Sequence, residues 1–201
     1  MTDRWRWVAG LSSVLGGVLA ILSSVPPGWY GVEPTDSYVF DPAMFSPLWI
    51  ERTLVPLLFL GALVGLLVGV GALVYRDWTT TRSHRVGGSL AILGGATLAV
   101  GRYGPDLVTP AGTPVGPIAG LVGFALLLWS GLLLLIGVPL LAVAYFRAGR
   151  PWLAGTMLAV VPAMLFVGSL VPGPVADLAG SLPLFVLGVV IARDLAFLES
   201  V

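Results

Sequence analysis

Seven charged side chains have types that could build a polar site: five carboxylates and two guanidinium groups. Carboxylates bind hard cations, and arginines pair with carboxylates or with lipid phosphates. The carboxylate spacing does not match an EF-hand loop, and no histidine lies near these residues to activate a nucleophile. Salt bridging and solvation at a membrane interface explain this outer polar cluster most simply, while cation or phosphate binding stays open. Its members are Glu33, Asp36, Asp41, Glu51, Arg52, Arg102 and Asp106.

Several classes of chemistry are excluded by residue types that the chain lacks. The sequence contains no Cys, Lys, Asn or Gln. Without cysteine there is no thiolate nucleophile, disulfide or cysteine zinc site, and without lysine no Schiff base can form. Biased base composition of the genome is the simplest cause of these absences. We predict no catalytic residue, no cofactor and no metal site, and we expect that the protein is not an enzyme.

The remaining titratable groups lie close to the ends of apolar runs. His84 is the only histidine, and its segment "RDWTTTRSHR" is typical of a solvated, basic loop. Arg193 and Asp194 are adjacent and do not share a helix face, so we expect Arg193 to extend toward the membrane interface. The central parts of the first five runs hold no charged residue, which disfavours proton-coupled or cation-coupled transport.

The composition is that of a polytopic membrane protein. Of 201 residues, 57% are hydrophobic, 27 are glycine and only 10% are charged. A helix needs about 20 apolar residues to cross the hydrocarbon core. We predict an all-α integral membrane protein, a six-helix bundle that forms one domain over residues 1–201 with an ordered extracellular first loop. The spans are about 7–25, 54–75, 86–100, 117–146, 153–170 and 178–198, and the outer loop is 26–53.

Two of these spans have unusual lengths. The third is short and rich in glycine, and we expect "RYGP" at 102–105 to end it. The fourth would extend about 45 Å if it were helical throughout, which exceeds the hydrocarbon thickness of about 30 Å. It must therefore tilt, kink at Pro139 or protrude from the bilayer.

The distribution of charge predicts the orientation. Six spans place eight of the ten arginines on one side, together with four of the ten carboxylates. Basic residues near span ends face the cytoplasm, so both termini are expected inside. Six of the seven tryptophans then fall near a membrane interface, and only Trp129 lies in the middle of a span. We predict a multi-pass protein of the plasma membrane with the lipid bilayer as its surroundings and no nucleic-acid partner.

Small residues at four-residue spacing mark faces where helices can approach closely. They are Gly61, Gly65 and Gly69 on the second span and Gly155, Ala159 and Ala163 on the fifth. Close backbone approach replaces the missing hydrophobic driving force between helices in lipid. Such faces serve contacts within a bundle or the seam of a homo-oligomer, and both interpretations remain open here.

The sequence resembles membrane proteins of halophilic archaea. The resemblance rests on abundant Gly, Ala and Val, on arginine as the cationic residue, on the N-terminal "DRWRW" and on the loop "SVPPGWYGVEPTDSYVFDP". These features are similar to an uncharacterised hydrophobic family that is encoded near archaeosortase, a membrane transpeptidase. That enzyme needs a nucleophilic cysteine, which this chain lacks. The resemblance implies an accessory or neighbouring protein rather than the enzyme.

Three functional hypotheses follow. The favoured one is a non-catalytic accessory or scaffold protein that acts through helix and outer-loop contacts with a membrane-protein partner or another copy. The alternative is a transporter or lipid-handling protein for an uncharged or amphipathic solute. An intramembrane enzyme built on Glu51, Arg52, Arg102 and Asp106 is the least favoured, because it has no established nucleophile or base pair.

Overall fold

The computed structural model of the protein describes residues 3–25, 49–78, 80–108, 116–170 and 175–196, and these residues are all-helical. They form six α-helices and a short π-helical turn at Ile50–Leu54. The helices are α1 (Asp3–Ser23), α2 (Val55–Arg76), α3 (Arg82–Val108), α4 (Pro117–Arg147), α5 (Pro151–Leu170) and α6 (Val175–Ala196).

Three of the helices are long and apolar enough to cross a membrane: Arg4–Ser23 within α1, Val55–Arg76 and Pro117–Arg147. The prediction of an all-helical chain with apolar, membrane-compatible helices is therefore confirmed. Six spans in one bundle and the orientation of the termini stay predictions. The first loop, predicted to be ordered, lies outside the described residues.

Helix boundaries follow the sequence signals with one exception. The helix does not end at "RYGP", because α3 continues past Arg102 to Val108, and the bounds of the third span stay a prediction. A proline removes one backbone donor from a helix but does not by itself stop it. The same holds in α4, where Pro139 lies inside a continuous helix of 31 residues. At 1.5 Å per residue, α4 is about 46 Å long.

Helices that follow one another in the chain pack together, and α6 returns to α1. The pairings from α1 to α4 and of α1 with α6 are antiparallel. Contacts join α1 to α2, α2 to α3, α3 to α4, α4 to α5 and α5 to α6, and α6 packs on both α1 and α2. Buried Leu73, Leu141, Tyr145 and Ile191 belong to one core cluster that these helices share. The first and last helices are therefore side by side, with the beginning of α1 next to the end of α6.

The most extensive pairing joins α3 and α4 through small residues at a spacing of seven. Gly87, Gly94 and Gly101 face α4, where a Cβ on Gly87 would lie 2.6 Å from the backbone nitrogen of Leu141. Buried small residues on α4 follow the same period at Gly123, Ser130, Gly137 and Ala144. A period of seven keeps two helices in contact along a left-handed crossing. The second glycine of each pair on α3, Gly88 and Gly95, faces Val74 and Leu67 of α2.

The predicted small-residue face of the second span lies against α1. A Cβ on Gly65 would collide with the Ser12 carbonyl oxygen, and one on Gly61 would lie 2.9 Å from Leu19 Cδ1. A Cβ on Gly69 would collide with the side chain of Ser13. This face is therefore filled within the chain.

The predicted small-residue face of α5 is placed differently. A Cβ on Gly155 would meet no atom within 4 Å, and Ala159 is exposed. The side chain of Ala163 lies outside the described set. The face holding Gly155 and Ala159 is thus open to lipid or to another chain, and its use as a seam stays a prediction.

Large apolar side chains cover the outside of the helices. They include Leu15 of α1, Leu57 of α2, Leu93 of α3, Phe124 of α4 and Val186 of α6, all more than one-third exposed. Soluble monomers rarely expose contiguous apolar patches above a few hundred Å². An outer surface of this kind needs lipid or other apolar groups around it.

Replacing Gly87 with alanine should destabilise the protein by about 1–3 kcal/mol, because its new methyl group would collide with α4 backbone. Gly131→Ala, also in a helix, is the matched control, since a Cβ there meets no atom within 4 Å. It should be neutral or stabilise by up to about 1 kcal/mol through helix propensity. Unfolding curves in detergent micelles measure both values. Equal effects of the two substitutions would contradict the close crossing of α3 and α4.

Candidate functional site

A polar cluster lies where several helix ends meet at one end of the molecule. Its ionic members are Arg76 at the end of α2, Asp77 directly after it, Arg150 before α5 and Asp194 near the end of α6. Its neutral members are His84 in the first turn of α3 and Tyr145 near the end of α4. Five of the six come from the segments that the charge pattern predicts to be cytoplasmic, and Tyr145 lies at the adjoining end of the predicted fourth span.

The four ionic residues form a closed network with two positive and two negative charges. Arg76 Nη2 lies 2.6 Å from Asp194 Oδ2 and 3.1 Å from Asp77 Oδ2. Arg150 Nη1 lies 2.8 Å from Asp77 Oδ2 and 3.2 Å from Asp194 Oδ2. Arg76 also donates from Nη1 to the Asp194 carbonyl oxygen at 3.1 Å. Each carboxylate is shared by both arginines, so the network joins α2, α5 and α6.

This network is better shielded than an ordinary surface ion pair. The side chains of Arg76 and Asp77 are each 10% exposed, against 25% for Arg150. Exposed pairs contribute little because water and salt screen them, whereas partly buried pairs with several hydrogen bonds are screened less. Loss of one member would leave a poorly hydrated charge without its partner.

A helix-terminating motif places Arg150 in the network. Gly149 has φ 76°, a left-handed conformation that glycine adopts without a Cβ penalty. Its N–H donates to the Phe146 carbonyl at 3.1 Å, and the Arg150 N–H donates to the Tyr145 carbonyl at 3.0 Å. These two bonds define a Schellman motif, after which Pro151 begins α5. Arg150 is therefore held between two helices at a fixed angle.

The turn between α2 and α3 positions His84 in a similar way. The Asp77 N–H donates to the Leu73 carbonyl, and the Thr80 hydroxyl donates to the Asp77 carbonyl at 2.6 Å. Thr81 caps α3, because its hydroxyl accepts the His84 N–H at 3.3 Å. His84 Nδ1 lies 2.9 Å from both threonine hydroxyls. The threonines thus orient the imidazole toward the interior.

The two threonine hydroxyls differ in their other hydrogen bonds. The Thr80 proton goes to the Asp77 carbonyl, so the Thr80 oxygen can accept a proton from Nδ1. The Thr81 proton can instead be donated to Nδ1 in the other tautomer. His84 is 1% exposed, and Nε2 has no hydrogen-bond partner among the described residues.

The ring of Tyr145 packs edge-on against His84 with 4.7 Å between the ring centroids. Its hydroxyl is also buried without a partner among the described residues. Arg150 Cζ lies 5.8 Å from the centroid of the same ring, within cation–π range. A neutral His84 and a neutral Tyr145 therefore complete a cluster with balanced formal charge.

Burial is the main influence on the protonation of His84, which lies two residues before the predicted span of 86–100. Loss of hydration lowers the pKa of His84 below its ordinary value, Asp77 opposes this, and Arg150 and Arg76 add to it. The folded state consequently favours the neutral imidazole. Chemically, the arrangement fastens helix ends to one another.

One expectation about these residues is wrong. His84 is buried rather than solvated, because the threonine turn directs its ring under Tyr145. Asp194, for which the sequence predicts no partner, bonds to Arg76 and Arg150. A usable signal was present: opposite charges recur at helix ends on the same predicted side. Sequence spacing alone could not pair them.

The outer polar cluster stays a prediction. Glu33, Asp36 and Asp41 lie outside the described residues. Other members are placed only by their helices: Glu51 and Arg52 belong to the π-helical turn, and Asp106 belongs to α3. Arg102 is exposed near the end of α3. Among the described residues, no group of three or more potential ligands could hold a metal ion.

A second feature at the same end of the molecule is a groove of about 370 Å³ between α1 and α6. Apolar side chains dominate its lining, and Arg6 and Arg193 supply its charged groups. It lies where the antiparallel helices approach through Gly10 and Ala192. The groove was not predicted, because its two walls come from opposite ends of the chain.

Comparison of the chain with protein-family models, curated proteins and solved structures finds no match.

The carboxylates of the polar cluster should be coupled to its arginines. Asp194→Asn should destabilise the protein by about 1–3 kcal/mol by leaving two guanidinium groups with one carboxylate. Arg76→Gln should also destabilise it. The double variant should lose less than the sum, with a coupling of about 0.5–3 kcal/mol. Unfolding in detergent micelles measures the cycle. Arg82→Gln is the control, because Arg82 is exposed and its loss should add to that of Asp194→Asn. Additive losses of unfolding free energy for Arg76→Gln and Asp194→Asn would contradict the network.

The protein should lose stability as the pH falls below about 6.5, the ordinary histidine value. Because the pKa of folded His84 is lowered, its contribution is complete above the unfolded pKa and is lost as the unfolded chain binds the proton. His84→Gln should remove this dependence between about pH 7 and pH 5. Unfolding curves across that range measure it. The same slope in both proteins would assign the pH dependence to other groups.

Proposed function

We propose that the protein crosses the plasma membrane six times, with both termini in the cytoplasm, and acts as a non-catalytic accessory or scaffold subunit. The antiparallel order of α1 to α4 and of α6 against α1 supports an even number of spans. The segments that hold Arg76, Arg150 and Asp194 meet at one end of the molecule. The arginine distribution supports placing that end at the cytoplasmic face.

The observation that carries the accessory role is the outer face of α4. Leu121, Phe124, Leu128 and Leu135 are each more than half exposed, and Gly131 has open space beside it. These five residues follow one another at alternating spacings of three and four, the pattern of a helix–helix seam. Their stripe, called the α4 seam, is free in the single chain.

Trp129 adds weight to this surface. It is 61% exposed and lies twelve residues into α4, away from the interfacial depth that tryptophan favours in lipid. A large ring beside the α4 seam offers contact area to a neighbouring helix. We therefore propose that a transmembrane helix of a partner protein packs on α4. The resemblance to the family encoded near archaeosortase supports a partner in surface-protein processing.

A lipid-handling role is the second candidate, and the groove between α1 and α6 supports it. An amphipathic molecule could place its apolar part against Leu11 and its polar part against Arg6. In contrast to an accessory role, handling requires exchange of that molecule between the groove and its surroundings.

Site-specific photocrosslinking tests the accessory role. A photoreactive amino acid in place of Phe124 should form one discrete crosslinked protein in intact cells, because Phe124 lies in the α4 seam. Val64 of α2 is the control. Its side chain is 52% exposed, against 61% for Phe124, and α2 begins at the same end of the bundle as α4. It should crosslink mainly to lipid. Electrophoresis and peptide mass spectrometry identify the products.

Three outcomes separate the hypotheses. A crosslink to a different protein at Phe124 alone supports the accessory role. A crosslink to another copy of this chain would replace it with a homo-oligomer. Lipid products alone at both positions would contradict a protein partner at the α4 seam.

A further inference from the structure

The groove between α1 and α6 is lined by apolar side chains along its length and has a basic entrance formed by Arg6 and Arg193. Gly10 and Ala192 are two of its small residues, and a Cβ on Gly10 would lie 3.5 Å from Ala192 Cα. Beside them, Trp7 and Leu11 of α1 project as larger apolar walls. The close approach of two small residues between bulky neighbours leaves an elongated depression that an alkyl chain can follow.

Arg6 at the entrance lacks the carboxylate partners that hold the arginines of the neighbouring polar cluster, among the residues that the structure describes. Arg76 and Arg150 share two carboxylates, whereas Arg6 Nε is buried and has no hydrogen-bond partner among the described residues. Arg193 adds a second guanidinium group to the lining. The positive end of the α1 macrodipole lies nearby, since Arg6 is in the first turns of that helix. This combination favours an anion.

The neighbouring aromatic residues place this entrance at the depth of lipid headgroups. Trp5 and Trp7 are each more than 60% exposed at the beginning of α1. Exposed tryptophans in membrane proteins concentrate at the interface between hydrocarbon and water. From that depth, the groove continues along α1 past Leu11 and Val14 toward the hydrocarbon core.

We propose that this groove is a binding site for one anionic phospholipid of the cytoplasmic leaflet. Its phosphodiester accepts hydrogen bonds from Arg6 and Arg193, and one acyl chain lies along Gly10, Leu11 and Ala192. A free phosphate or a small soluble anion would leave the apolar lining unoccupied. The volume of about 370 Å³ lies at the lower end of the range for small-ligand sites. This size suits one acyl chain that is only partly enclosed by the protein.

Binding of this lipid requires the proposed membrane location but not a protein partner on α4. The site and the α4 seam share no residue and can fail separately. A resident lipid also differs from a transported one, because it remains bound and fastens the first helix to the last.

Native mass spectrometry of the purified full chain tests the headgroup. The protein is mixed with phosphatidylglycerol or with phosphatidylcholine that carries the same acyl chains. The anionic lipid should be retained preferentially. Arg6→Gln should weaken its retention about fivefold, and Arg6→Gln with Arg193→Gln about 25-fold, from about 1 kcal/mol for each arginine. The control is Arg85→Gln with Arg147→Gln, which removes two exposed arginines that do not line the groove.

A second pair of variants tests the acyl chain. Leu11→Trp should fill the groove and reduce phosphatidylglycerol retention severalfold without changing the charge. Leu57→Trp is matched to it in exposure, at 59% against 60%, and lies on α2 away from the groove. It should bind normally. Excess inorganic phosphate should compete poorly, because it makes no apolar contact.

The proposal is overturned by equal retention of both lipids, or by equal losses in the groove and control arginine pairs. It is also overturned if inorganic phosphate displaces the lipid without a large excess, as it would from a site that binds only the anionic group. Normal melting curves for the groove variants without added lipid exclude misfolding as the cause of lost binding. If Arg6→Gln does not melt normally, Arg6→Lys replaces it. This variant should retain part of the preference for phosphatidylglycerol over phosphatidylcholine.

Discussion

Helices in an apolar environment gain little by hiding leucine from their surroundings, so their association depends on how closely their backbones can approach. In this protein that constraint is met by glycine. Gly87 and Gly137 bring α3 and α4 together, and Gly16 and Gly65 do the same for α1 and α2. Many bulky apolar side chains, such as Leu57 and Phe124, are directed outward instead. The exposed apolar surface and the buried polar cluster both follow from this arrangement.

The polar cluster shows how charge is accommodated next to such a core. Its ionic groups lie at helix ends, where loops can deliver Asp77 and Arg150 to partners on other helices. Two arginines and two carboxylates cancel, and the threonine turn supplies a neutral His84 beneath them. The result is a network that fastens the end of α2 to α6 and to the beginning of α5.

The two proposed surfaces divide the outside of the molecule between different kinds of contact. The α4 seam is apolar, regular and large, which suits another helix. The groove between α1 and α6 combines Arg6 and Arg193 with a narrow apolar channel, which suits a single amphipathic anion. Because they lie on different helices, a bound lipid can stabilise the fold while α4 remains available to a partner.

The sequence by itself determined where the helices lie, because an apolar run of about 20 residues and the charges at its ends act locally. It also contains the seven-residue glycine period of α3, although such a period does not say which neighbouring helix packs against it. Only the tertiary structure decided that Arg76 meets Asp194, 118 positions away, and that His84 is buried. It likewise formed the groove from the first and last helices. Such contacts depend on how the turns direct the helices, and burial arises from the packing of whole segments, which no local pattern specifies.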